Sequence, residues 1–463
     1  MTLIKSISGF RGTIGGKPND NLTPLDVVNF ATAFAFFIKE ESKKEKPTIV
    51  VGRDARLSGA MIEGLVNNTL IAMGVDVVSL GLSTTPTVEM AVIDLAADGG
   101  IILTASHNPK QWNALKLVNA KGEFISAKEG ESLLKLIDNQ EFDYAKIDKI
   151  GKITTDTTQI DKHIEKILAL ELVDVEAIKK AHFKVALDAV NSTGGMAIVP
   201  LLKALGVSAI HELYCEPTGK FPHNPEPLPE HLNDLSELVV KEKADVGFAV
   251  DPDVDRLAII SENGNPFGEE YTLVAIADYI LSNKQGNTVS NLSSTRALQS
   301  ITLMHESNYA ASAVGEVNVV EMMKKTNAII GGEGNGGIIY PELHSGRDAM
   351  VGIALFLSLM AKRKQKVSMI RSGFPDYFIS KNKISLEKGM DVDGFLMKIA
   401  EKYKNERVTT IDGVKIDFES EWVHLRKSNT EPIIRIYAES DSLSKANHLA
   451  DKIKLDIGEF MKG

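Results

Sequence analysis

A chain of 463 residues is too long for one hydrophobic core, and at roughly 150 residues per domain it should form three or four. With 43% hydrophobic and 25% charged residues it has a globular composition, which excludes wholesale disorder. Acids outnumber bases by 62 to 52, for a formal net charge of −10, so the chain lacks the footprint of a nucleic-acid binder and any phosphate site must be local. The single cysteine, Cys215, cannot form an internal disulfide and reads as a small buried hydrophobe in a reducing cytoplasm. Met1 to Lys17 lacks the apolar core of a signal peptide. The strongest apolar stretch, Phe30 to Ile38, stops at Lys39 and Glu40, far short of the ~20 residues of a membrane span.

Periodicity predicts a helix over Pro24 to Lys44, with Thr23 as N-cap, and a strand over Thr48 to Val51. A helix over Ala60 to Met73, a strand over Val75 to Leu80, a helix over Pro86 to Leu95 and a short buried strand over Ile101 to Leu103 follow. This rhythm predicts a parallel α/β sheet. The polar stretch Asp138 to Asp161 separates a second unit, which runs from the strand Lys184 to Leu187 and the glycine turn Asn191 to Gly195 up to the strand Val246 to Val250. A third unit continues from about Arg256 through the helical Met350 to Ala361. Beyond Val367, strand-like runs at Val408 to Ile411, Trp422 to Leu425 and Ile433 to Ala438, with a helix at each end, predict a smaller α+β domain. The boundaries expected are 1–155, 156–255, 256–366 and 367–463.

Four loops have the residue types for chemistry. Thr104-Ala-Ser-His-Asn-Pro109 follows a buried strand, and ligands gather beyond the carboxyl ends of parallel strands, so Ser106 is placed as a nucleophile would be; a simple turn is the alternative. Asp251-Pro-Asp-Val-Asp-Arg256 follows another strand. On extended backbone its three carboxylates would share one face, where they repel by about 1 kcal/mol per pair at 4 Å even in water, which calls for a cation such as Mg²⁺. A calcium EF-hand fails, because Arg256 occupies its glycine position and Leu257 to Ile260 reads as strand. Gly332-Glu-Gly-Asn-Gly-Gly337 permits close backbone approach, and Glu333 and Asn335 suit sugar hydroxyls. Arg426-Lys-Ser-Asn-Thr-Glu-Pro-Ile-Ile-Arg435 combines two guanidiniums with small polar side chains, a cradle for a phosphate dianion.

In this order and spacing the four loops resemble those of the α-D-phosphohexomutase superfamily over nearly the whole chain. The resemblance implies an α/β fold of four domains in a heart-shaped molecule, three similar α/β domains and a smaller α+β C-terminal one. It implies Ser106 as phosphoryl carrier, and Asp251, Asp253 and Asp255 with a phosphoserine oxygen as Mg²⁺ ligands. Lys116 would serve in proton transfer, Arg11 and Arg256 would approach the phosphoserine, and His107 shares its loop. Glu333 and Asn335 would bind hydroxyls, and Arg426, Ser428, Asn429, Thr430 and Arg435 the phosphate that is not reacting. Phe221 to Pro227 and Gly346 to Ala349 match as structural or supporting segments.

Where many relatives carry a histidine in the sugar loop, this chain has Gly337, so the acid/base role moves, with Lys116 the first candidate and His344 the second. The implied enzyme is a cytoplasmic isomerase, monomer or homodimer, acting on a hexose phosphate through a 1,6-bisphosphate that also serves as activator, without nucleic-acid or membrane partners. Gly-Glu-Gly-Asn-Gly-Gly resembles phosphoglucosamine mutases, whereas Ser-Asn-Thr-Glu-Pro is also common in the phosphomannomutase and phosphoglucomutase branch. Outside the family, Asp251-Pro-Asp253 would suit an aspartyl phosphatase, and the same loops would suit a non-catalytic sugar-phosphate or calcium-binding protein.

Overall fold

Strands and helices alternate as the periodicity predicts in the computed structural model, which describes residues 2–6, 9–139, 142–385, 391–427 and 433–462. They gather into two units, Met1–Tyr279 with Asn335–Arg371 and Ile280–Gly334 with Ser372–Gly463.

The first unit opens on a seven-stranded sheet in the order Ile4–Ser6, Gly9–Thr13, Trp112–Asn119, Gly99–Leu103, Thr48–Arg53, Asp76–Leu82, Ile153–Thr155. The last four strands are mutually parallel, but Trp112–Asn119 runs antiparallel to Gly99–Leu103 and to Gly9–Thr13. The sheet is therefore mixed where a parallel one was expected. The stretch from Thr104 to Gln111 is shorter than the dozen or more residues a crossover needs, so the chain turns straight back. The helix Pro24–Ser42 begins on Thr23, whose backbone N–H donates to Asp26 Oδ2 at 3.0 Å. Its Phe30 and Phe34 pack with Ile49, Val51, Ile101 and Leu103 beneath the sheet, and Phe10 stacks on Phe30 with ring centroids 3.9 Å apart.

A second sheet of this unit runs Leu257–Ser261, Val246–Val250, Lys184–Asp188, Ala209–Leu213. Only Leu257–Ser261 is antiparallel, returning directly from Val246–Val250. The helix Ala349–Arg363 is buried from Ala349 to Ala361, and its Phe356 ring meets Phe248 and Phe267 edge-on at 6.2 and 5.4 Å. Cys215 proves half-buried, with burial pushing its thiol up to about 12.

The second unit holds three parallel strands, Tyr309–Ser312, Asn287–Asn291 and Ala328–Glu333. It also holds an antiparallel five-stranded sheet in the order Phe378–Ser385, Ile433–Ser440, Trp422–Lys427, Val414–Asp417, Arg407–Thr409. The helices Val392–Lys402 and Leu443–Lys462 bury Leu396, Ile399, Leu449 and Ile453 against Val423, Leu425, Ile434 and Ile436. Phe378–Ser385 and Val414–Asp417 escape the sequence reading, the first because its few apolar residues do not alternate and the second because, although it alternates, it is only four residues long. No helix among the described residues is long and apolar enough to cross a membrane.

Phe356→Ala should remove the shared edge contact and leave a cavity. The expected cost is about 3–5 kcal/mol, read from denaturant unfolding; a loss under about 1 kcal/mol would show that the helix is held elsewhere.

Candidate active site

The buried strand Gly99–Leu103 delivers Ser106 in the left-handed region, at φ 50°, a conformation that costs a non-glycine residue about 1–3 kcal/mol and persists only where the surroundings impose it. Here Arg56, 2% exposed, imposes it. Its Nη2 donates to Ser106 O and to Asn108 O (2.6 Å), and its Nη1 to Pro109 O (2.8 Å) and Trp112 O (3.1 Å). Asp54 orients the guanidinium through Nε at 3.0 Å and also accepts from Thr104 Oγ1 at 2.7 Å. Thr104 Oγ1 in turn accepts the Ser106 N–H at 2.9 Å. Arg56 and Asp54 are absent from the sequence-based site. The signal was available, since both directly follow the carboxyl end of the parallel strand Thr48–Arg53.

The aspartate loop is the turn of a hairpin rather than extended backbone, which corrects the sequence-based picture. Val254 is left-handed at φ 66°, its N–H donates to Asp251 O at 3.1 Å, and the N–H groups of Asp255 and Arg256 donate to Asp251 Oδ1 at 3.1 and 3.2 Å. Antiparallel return of Leu257–Ser261 leaves too few residues for an extended path. The turn still brings the three carboxylates together, all 0% exposed and with one oxygen of each within 4.8 Å of the others.

Ser106 Oγ donates to Asp251 Oδ2 at 2.7 Å. Asp253 Oδ2 accepts from Thr85 Oγ1 at 2.6 Å and from Lys116 Nζ at 2.7 Å. Asp255 Oδ2 accepts from Arg347 Nη2 at 2.7 Å and from Lys116 Nζ at 3.3 Å. Asp253 Oδ1 and Asp255 Oδ1 are buried without a hydrogen-bond partner. Two orphaned carboxylate oxygens beside a third carboxylate fit a hard divalent cation, which takes oxygen ligands and supplies the missing positive charge.

The charges follow from these neighbours. Burial, then the charges of Asp255 and Asp253, push the Asp251 carboxyl well above the usual range. Burial would raise Asp255 too, but Arg347 and Lys116 outweigh it and hold it low. Burial disfavours the Lys116 ammonium, yet Asp253 and Asp255 reverse that effect, and its pKa rises. His107, with Nδ1 3.4 Å from Ser106 Oγ, is pushed down to about 2 by burial and by Arg256 and Arg11, so its ring is neutral. Arg11 Nη1 donates to Asn108 Oδ1 at 2.8 Å, and Arg256 Nη1 to Glu226 Oε1 at 3.2 Å.

The first unit thus brings together Ser106, His107, Lys116, Arg11, Arg256 and the three aspartates. Thr85, Arg347 and Glu226 join them, though sequence reasoning gave none of these a role at the centre. Asn335 also lies in this unit, its Oδ1 accepting the Gly337 N–H at 3.2 Å. A Cβ at Gly337 would lie 2.4 Å from Arg347 Cδ. Arg347 therefore fills the space a histidine would need there. His344 instead faces buried carboxylates, with Nε2 3.4 Å from Asp348 and Nδ1 3.4 Å from Glu89.

In the second unit Glu333, 5% exposed, accepts from Asn291 Nδ2 at 2.8 Å and the Gly315 N–H at 3.1 Å through Oε1. Arg426 and Arg435 are directly opposed cross-strand partners, an arrangement that disfavours like charges unless an anion is shared. Arg426 Nε is paired with Asp412 at 2.8 Å. Ser428, Asn429 and Thr430 lie outside the described residues.

Four family profiles match in succession: phosphoglucomutase/phosphomannomutase alpha/beta/alpha domain I over residues 3–144, domain II over 161–264, domain III over 268–377 and the C-terminal domain over 383–455. A phosphoglucomutase/phosphomannomutase of Thermococcus kodakarensis is 36% identical over 460 residues, 98% of this chain and 99% of that protein. A phosphoglucosamine/phosphogalactosamine mutase of Sulfurisphaera tokodaii is 32% identical over 456 residues, 96% of this chain and 97% of that one. The crystal structure of a phosphoglucomutase/phosphomannomutase family protein from Burkholderia thailandensis matches with a TM-score of 0.83 at 25% identity, covering 97% of this chain and 96% of that chain.

Arg56→Ala should release the serine loop. Hydrogen bonds to charged groups are worth ~1.5–3 kcal/mol, so amide exchange over Thr104 to Trp112 should quicken by roughly 10- to 100-fold. Unchanged exchange there would mean that the left-handed serine is held by something else.

Proposed function

The chain belongs to the phosphoglucomutase/phosphomannomutase family, and on that premise we propose that it interconverts glucosamine 6-phosphate and glucosamine 1-phosphate through a phosphorylated Ser106 and a 1,6-bisphosphate. The phosphohexomutase activity, an isomerase reaction, and the architecture of three α/β domains followed by a smaller C-terminal domain come with the family. The observation that carries the reading is the 2.7 Å hydrogen bond from Ser106 Oγ to Asp251, inside a carboxylate cluster with two unpaired oxygens.

In the proposed cycle a hydroxyl of the sugar phosphate attacks the phosphorus carried on Ser106. The new P–O bond to the sugar forms as the P–Oγ bond breaks. The serine hydroxyl so regenerated has an acceptor in Asp251. The bisphosphate then turns over and returns its other phosphoryl group to Ser106. Bound between Asp251, Asp253 and Asp255, Mg²⁺ would draw charge from the transferring group. Arg11 and Arg256 add positive potential, and the neutral His107 ring contributes none. Lys116, held as an ammonium by two aspartates, gives a proton to Ser106 Oγ as it leaves phosphorus and regains one from the attacking hydroxyl, so each transfer is proton-neutral. His344 faces Asp348 and Glu89, which favours Lys116 for this role.

Glu333 and Asn335 are assigned to hydroxyls near the middle of the sugar, which superpose when the ligand reverses. The group at C2 is then read weakly. Arg426 and Arg435, with Ser428, Asn429 and Thr430, are assigned to the phosphate that is not reacting. An anion shared by the two opposed arginines would relieve the repulsion their pairing creates. A glucose or hexosamine 1,6-bisphosphate would serve as activator by phosphorylating Ser106. Glucose or mannose 6-phosphate is the second reading, favoured by the name and 36% identity of the Thermococcus relative.

Ser106→Ala should lower turnover by about 10³-fold or more, and chelation of divalent cations should abolish it until Mg²⁺ is returned. An alanine variant at wild-type speed would end the proposal. Side-by-side turnover of glucosamine, glucose and mannose 6-phosphates decides the substrate; a large preference for mannose 6-phosphate would overturn the first choice.

A further inference from the structure

Among the described residues of the first unit, one buried group of ligating side chains stands apart from the aspartate loop: His163, His344 and Asp348, at 1%, 4% and 0% exposure. They come from three places in the chain. His163 lies on the helix Gln159–Leu168, His344 follows the strand Gly337–Ile339, and Asp348 caps the helix Ala349–Arg363. Asp348 Oδ1 is committed to that cap, accepting from Met350 N at 2.7 Å and Val351 N at 3.3 Å. Its Oδ2 therefore points the other way, 2.9 Å from His163 Nε2 and 3.4 Å from His344 Nε2. Ligands bonded at ~2.0–2.1 Å to a tetrahedral cation stand about 3.3 Å apart, so these separations already approximate the edges of such a site.

The outward ring nitrogens complete the pattern. His163 Nδ1 is hydrogen-bonded to Thr87 Oγ1 at 3.0 Å, whereas His344 Nδ1 faces Glu89 Oε2 at 3.4 Å without hydrogen-bond geometry. Metal-bound imidazoles characteristically donate their second N–H to such an oxygen, which fixes the tautomer. Glu89 is itself 0% exposed, and a Cβ at Gly346 would fall 1.9 Å from its Oε2, so the local backbone is shaped around this carboxylate.

We propose that His163, His344 and Asp348 bind a divalent first-row cation of the Zn²⁺ type, with Thr87 and Glu89 orienting the two imidazoles. Two imidazoles and one carboxylate suit Zn²⁺ and Co²⁺ far better than Mg²⁺, so this site and the all-oxygen aspartate cluster select different ions. The cation would act as a clasp. It would join the segment bearing Arg347, which donates to Asp255, to the helix Gln159–Leu168, while Thr87 and Glu89 line the outer ring nitrogens from the helix bearing Thr85, which donates to Asp253.

The test is Co²⁺ titration of the full-length protein saturated with Mg²⁺. One equivalent should bind with the intense visible d–d absorption of a four-coordinate nitrogen-containing site, and Zn²⁺ should displace it. His163→Gln and His344→Gln should each weaken Zn²⁺ binding by roughly 100-fold or more, a larger loss than the 10- to 100-fold typical of outer-shell partners. Asp253→Asn should leave the absorption in place. Absence of that absorption in the unaltered protein, or its loss in Asp253→Asn with retention in His163→Gln, would overturn the proposal, and the first of these needs no variant to fold.

Discussion

Three carboxylates with no solvent exposure, gathered by one hairpin turn, are the constraint from which the catalytic half of the first unit follows. Buried like charges this close cannot all stay ionised without compensation. Lys116 and Arg347 supply part of it through direct contacts, while Asp251, which touches neither, is the one forced upward in pKa. Two unpaired oxygens remain as a standing demand for a cation. A phosphoryl group on Ser106 would bring nearly two negative charges, and a divalent cation two positive ones, so the pair can be added together with little change in net charge. A phosphorylated Ser106 and its cation would, in this sense, be one electrostatic unit.

Positioning is solved separately from charge. Ser106 is placed by backbone strain held in check by Arg56, which spends its guanidinium on loop carbonyls instead of ligand. The hydroxyl is thereby aimed across to a loop 145 residues away in sequence. Catalysis by in-line transfer tolerates little misplacement, and a rigid planar donor with several N–H groups suits this task better than a lysine. Glu333 is treated similarly in the second unit, where Asn291 and the Gly315 backbone anchor one oxygen.

Arg347 shows how one side chain can redistribute roles. By filling the space over Gly337 it excludes a side chain there and at the same time neutralises Asp255. Its neighbour Asp348 turns away into the imidazole pair. A single short segment therefore serves two buried polar centres on opposite sides of its backbone, and Gly337 becomes a packing requirement.

Much was legible in one dimension: the strand–loop–helix rhythm, the placing of Ser106 and the aspartates just after buried strands, and the strand-like runs at Trp422 to Leu425 and Ile433 to Ala438. These rest on local periodicity and on the chemistry each residue type can perform, which neighbours in sequence already specify. The short connections after Leu103 and Val250 and the place of Arg56 beyond a parallel strand left a trace in spacing, but the carbonyls that Arg56 clamps, the contacts of Thr85 and Arg347 and the imidazole pair were decided only by tertiary structure. Each depends on which distant group arrives to donate, neutralise or exclude. That outcome is set by burial and long-range packing, for which residue type and spacing carry no signal.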